Sequence, residues 1–174
     1  SATPETACIA QGDLVDVAFT PQVNEYRGER SVQMNVVDIR PSCTAECSAE
    51  TENYRALCNG VLTAATAATI MPDRETQGAI WRYLVRQGST VCETPMSLCR
   101  KIVRWSNQPM SLGQLMTCLD IFRDVGLLTT VRMHKFLSIR LTPGDTKADL
   151  SASRTMQQLL QAKASGTKWK LLKN

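Results

Sequence analysis

Two stretches near the start of the chain alternate apolar and polar residues with the two-residue period of a β-strand. Leu14–Val23 sends Val15, Val17, Phe19 and Val23 to one face; Ser31–Ile39 does the same with Val32, Met34 and Val36, after which Val37 and Ile39 take over. That change of phase predicts a β-bulge near Val36–Val37, because one extra residue moves every later side chain to the other face. Asn24–Glu29 between the runs is turn-rich, with Gly28 free to adopt positive φ. The segment therefore predicts a long antiparallel hairpin, with Pro21 on an edge or at a bulge. Two strands alone are marginal in water. The hairpin is expected to join further strands, to dock on the rest of the chain, or to form a homodimer through Leu14–Val23 or Ser31–Ile39.

Beyond residue 42 the helical period dominates. Residues 43–72 read as a linker with a short helix over Ala49–Cys58. Asp73 caps a helix from about Arg74 to Gln87, with Ile80, Trp81, Leu84 and Val85 inward and Gly88 closing it. Thr94-Pro95 opens a second helix that buries Leu98, Ile102 and Trp105. Ser111-Leu112-Gly113-Gln114 is a capping box, and the third helix sets Leu112, Leu115, Met116, Leu119 and Phe122 on one face before Gly126 ends it. Leu127–Met133 and Phe136–Thr142 alternate as two strands around a turn at His134-Lys135. Ser153–Ala164 carries Met156, Leu159 and Leu160 at helical spacing. The expected class is α+β, with residues 73–143 a mainly helical, winged-helix-like domain and 144–174 a C-terminal helix and basic tail. In that arrangement the third helix is the recognition element, presenting Gln114, Thr117, Asp120, Arg123 and Asp124 outward.

Composition changes this picture little. The 174 residues are 43% hydrophobic and 5% aromatic, so Leu, Ile, Val, Met and Ala must build the core. No apolar run approaches a membrane span, and the polar opening residues predict no secretory signal. Seven cysteines at irregular spacing, with no Cys-x-x-Cys, predict free thiols in a reducing, cytoplasmic setting. Cys92, Cys99 and Cys118 read as small hydrophobes, and Cys43, Cys47 and Cys58 lack the spacing of a zinc site. Charge is uneven: residues 1–42 carry three arginines against six acids, whereas residues 150–174 hold Arg154, Lys163, Lys168, Lys170 and Lys173 with no acid.

Catalysis finds little material. His134 is the single histidine and falls in a turn, a poor place for a general base. No phosphate-cradling glycine loop is present. Asp13/Asp16 and Asp120/Asp124 read as solvated charges. No catalytic residue and no metal ligand is assigned.

The hairpin sequence carries a resemblance. Asp13–Met34, closing with Val37-Asp38-Ile39-Arg40-Pro41, resembles the end of the OB-fold domain of the RecJ family, exonucleases specific for single-stranded DNA within the DHH phosphoesterase superfamily. The shared pattern is a strand, an Asn-x-aromatic-x-Gly turn (Asn24, Tyr26, Gly28), then a strand with Gln33 and a closing Asp38-Ile39-Arg40. Leu62–Leu84, above all Met71-Pro72-Asp73-Arg74-Glu75 and Trp81-Arg82-Tyr83-Leu84, resembles the region just beyond that domain in RecJ proteins of Gram-positive anaerobes. Together these matches cover about half the chain. The resemblance implies that residues 1–42 are the last strands, a hairpin remnant, of an OB-fold. It implies a parent that degrades single-stranded DNA from its 5′ end with Mn or Mg in recombination and repair. The family's adjacent catalytic histidines are absent here, so the metal belongs to catalytic domains outside this chain.

The expected nucleic-acid contacts are Asn24, Tyr26, Arg27, Arg30 and Gln33 on the first hairpin, and Arg132, His134, Lys135 and Arg140 on the second. Tyr26 is placed to stack on a base and the arginines to meet phosphate. Single-stranded DNA is the expected partner. Two alternatives stand beside it: a docking module for a helicase or other repair protein, and a winged-helix DNA-binding regulator.

Overall fold

The structure is a computed structural model that describes residue 9 and residues 15–42, 45–133, 136–143 and 148–171. It is α+β and divides into two compact units, residues 1–44 and 45–174.

In the first unit, β1 (Val15–Tyr26) pairs antiparallel with β2 (Glu29–Pro41). The strands run further toward the tip than alternation alone predicts, so the connection is only Arg27-Gly28. Both turn residues take positive φ, +53° and +80°, the combination of a type I′ turn, whose twist matches that of the flanking strands. The expected bulge is present. Ala18 faces Asp38 while Phe19 faces Val36, leaving Val37 as the extra residue. Its effect is to keep Val32, Met34, Val36 and Ile39 on the face of Val17, Phe19, Pro21 and Val23, despite the switch from even to odd numbers. The opposite face is polar, pairing Thr20 with Asn35, Gln22 with Gln33 and Asn24 with Ser31. Among the described apolar side chains, Val23, Val32 and Met34 are each about two-thirds exposed.

The second unit begins with α1 (Ala45–Cys58) and α2 (Ala64–Ile70), followed by α3 (Arg74–Gln87), β3 (Thr90–Glu93), α4 (Pro95–Ser106), α5 (Leu112–Asp124), β4 (Leu128–Met133), β5 (Phe136–Leu141) and α6 (Arg154–Leu171). The three strands form one antiparallel sheet in the order β3-β5-β4. The predicted caps are in place. Asp73 accepts from the Thr76 amide, Thr94 from the Ser97 amide, and Ser111 and Gln114 close the capping box in both directions.

Several inward assignments shift. On α3, Ala79, Ile80, Tyr83 and Leu84 are buried while Val85 is exposed. Trp105 on α4 lies at the surface against Tyr83, and Cys92 is exposed. On α6, Leu159 is buried and Leu160 is half-exposed.

Residues 45–72 belong to the second unit and are not a linker. α1 and α2 pack on α5, and α2 packs on α6. The Glu50 carboxylate of α1 accepts from the Leu112 amide at 2.8 Å, satisfying a free donor at the start of α5. Nor is α6 a detached tail, since Leu159 closes a second core with Leu57, Ala67, Ile70 and Ile121. The first core lies on the other side of α5, where Leu115, Leu119 and Phe122 meet Ile80, Leu84, Leu98, Ile102 and Ile139. With a core on each side, α5 is buried almost all round. Among the described residues, no helix is long and apolar enough to cross a membrane.

Candidate nucleic-acid interface

The register of β1 and β2 sorts the hairpin residues. Asn24, Tyr26 and Gln33 share the polar face. Arg27 occupies the turn, its guanidinium 5.2 Å from the Tyr26 ring centroid, a cation–π contact. Arg30 does not join them. It stands opposite Glu25 on the apolar face and is ion-paired to that carboxylate at 3.1 Å. The tip thus offers an exposed aromatic ring beside one guanidinium, with amides behind it. Glu29, directly across from Tyr26, weakens the positive field there.

On the second hairpin the structure separates two of the four expected residues. Arg132 stands opposite Leu137, whose side chain is buried, whereas Arg140 stands opposite Thr129 and Thr90 on the outer face. His134 and Lys135 lie outside the described residues. Val131, Met133 and Phe136 share the outer face with Arg140 and are exposed.

The third helix keeps little of the outer face expected of a recognition element: Arg123 and Asp124 are exposed and Gln114 is half-buried, but the middle of that face is covered. Thr117 is fully buried and Asp120 nearly so, because α1 and α6 cover the face that spacing turns outward. Asp120 accepts from the Tyr54 hydroxyl at 2.6 Å and from Arg123 at 2.8 Å. Burial raises its pKa above the ordinary carboxylate value, opposed by the Tyr54 hydrogen bond and the charges of Arg123 and Arg132. Tyr54 is pushed up in turn, by burial first and then by the adjacent Asp120. Asp124 anchors the start of α6 through the Ser153 hydroxyl and the Thr155 amide, both at 2.8 Å. Burial alone would raise its pKa, but these bonds and Arg123 outweigh it and the net shift is downward. Asp120 is thus a buried structural carboxylate, whereas Asp124 is exposed and serves as a structural anchor from the surface.

Sequence reasoning passed over a cleft of about 500 Å3 between α3 and the end of α4, lined by Arg74, Glu75, Gly78, Arg82, Ser106 and Gln108. Arg86 lies one turn beyond Arg82, its guanidinium 5.7 Å from the centroid of the Trp105 ring. The signal was in the sequence. Positions 74, 78, 82 and 86 recur every four residues and carry arginine, glycine, arginine and arginine, a stripe that reads as an ordinary solvated face until α4 is seen beside it.

No family model matches this chain, and neither a curated protein nor a solved structure does.

Proposed function

We propose that this chain is the single-strand-handling C-terminal portion of a RecJ-like 5′–3′ exonuclease acting in DNA recombination and repair, with Mn or Mg held in catalytic domains outside it. The observation that carries the reading is the hairpin. A bulged pair of strands with one continuous apolar face and one polar face is what a barrel wall requires, since its inner side must be covered by further strands. The residues of the RecJ resemblance fall at its key points: Asn24, Tyr26 and Gly28 at the tip, and Asp38 directly after the bulge. In OB-folds the loops between strands and an aromatic-bearing face bind single strands, and Tyr26 with Arg27 supplies both features at the tip.

The order α3-β3-α4-α5-β4-β5, with a sheet in the order β3-β5-β4, supports a winged-helix-like reading of the second unit. The burial of α5 argues against duplex readout by a helix in the major groove. One observation favours a docking module as the second reading: Val131, Met133 and Phe136 form an exposed apolar end on the outer face of the β4–β5 hairpin.

The test is anisotropy of labelled oligo-dT and of a matched duplex with this chain at low salt. Single-strand preference is expected. Tyr26→Ala with Arg27→Ala should weaken it about tenfold, in line with ~1–3 kcal/mol per stacked base. Unchanged single-strand affinity in that variant would remove the hairpin from the interface.

A further inference from the structure

We infer that the cleft between α3 and α4 is a second binding site, for a single-stranded nucleic acid, with Arg74, Arg82 and Arg86 on its phosphates and Gln108 on a base edge. The inference takes its ligand class from the proposed function. Its location in the second unit stands on separate observations.

The first observation is charge geometry. At ~1.5 Å rise per residue, Arg82 lies about 12 Å along α3 from Arg74, and Arg86 about 6 Å further. All three are exposed, and neither Arg74 nor Arg82 forms an ion pair among the described residues. Cations spread along a line fit an extended polyanion better than one compact phosphate, and Glu75 is the single acid lining the cleft. Arg86 is held against Trp105, whose ring also meets Tyr83 edge-on at 5.6 Å. A guanidinium steadied on an aromatic face loses less freedom when it binds.

The second observation is the floor. Gly78 occupies the middle of α3, although glycine is a poor helix former. Packing does not demand it, for a Cβ there would meet only the Arg82 Nη2, at 4.0 Å. Its effect is to leave the groove open between Arg74 and Arg82. At the far wall the Ser106 hydroxyl is engaged, donating to the Ile102 carbonyl at 2.7 Å and accepting from the Gln108 amide at 3.2 Å. The Gln108 side chain makes no hydrogen bond among the described residues, so its amide is available to a base edge. A single strand can lower a nucleotide into such a cleft. A duplex, with its bases stacked inside, offers only its backbone.

The test titrates fluorescein-labelled oligo-dT with the full chain between about 50 and 200 mM salt. Arg82→Ala with Arg86→Ala should keep the thermal midpoint, weaken binding about tenfold at low salt, and reduce the salt slope by about 1.4, the value for two single-strand phosphates. Unchanged affinity and slope in the α3 variant, with the wild type still binding, would overturn the cleft and leave the hairpin reading intact. No binding by the wild type at low salt would overturn both. Tighter binding of a matched duplex, or of poly-glutamate, would overturn the ligand class.

Discussion

Thr117 lies one turn after Gly113 on α5, and its hydroxyl is fully buried with no hydrogen-bond partner among the described residues. A buried, unsatisfied hydroxyl costs about 1–3 kcal/mol, and valine has the same shape without it. Thr117→Val should therefore raise stability by about 1 kcal/mol and the thermal midpoint by about 2–4 °C, as read by calorimetry. A lowered midpoint would mean that the hydroxyl is satisfied after all. Asp120, one turn on, shows the opposite treatment, with Tyr54 and Arg123 both donating to its carboxylate. Spacing marks Thr117 and Asp120 alike as outward. It cannot tell solvent from a second layer of helices, and α1 and α2, rich in Ala, Thr and Glu, give little sign that they form one.

Among the elements, the first hairpin was the most legible and its ends the least. The phase flip at Val36–Val37 announced the bulge, since no other device keeps apolar residues on one face across a change of parity. The extent of the strands was hidden because Asn24, Glu25, Glu29 and Arg30 are turn-forming or charged, yet pair in register up to a two-residue turn. Gly28, at φ +80°, has open space around its missing Cβ, so backbone conformation alone sets the cost of a side chain there. Gly28→Ala should destabilise the hairpin by about 1 kcal/mol. Faster amide exchange across β1 and β2, with exchange in the second unit unchanged, is the expected readout. For α3, α4 and α5 the caps were read correctly, because capping is local chemistry written within four residues. The cleft between α3 and α4 was not, because it exists only once two helices are set side by side.

At the scale of the whole molecule, the second unit is larger than its three capped helices and sheet. Its second core brings the neighbours α1 and α2 together with the distant α5 and α6, and no local pattern reports such a meeting. Leu159 is fully buried there while its neighbour Leu160 is half-exposed. Leu159→Ala should cost about 2–5 kcal/mol. Leu160→Ala should stay within about 0.5 kcal/mol of wild type, as surface changes usually do. Denaturant unfolding monitored by circular dichroism separates the two, and equal effects would show that α6 does not close the second core. The enclosure of α5 also has a consequence in time. During synthesis the chain emerges from its amino end, so Ile70 and Ile121 leave the ribosome well before Leu159 can reach them. Until that last helix follows, α5 shows a bare greasy flank to the cell, and a message broken upstream of residue 154 would yield a product fit for chaperones and proteases.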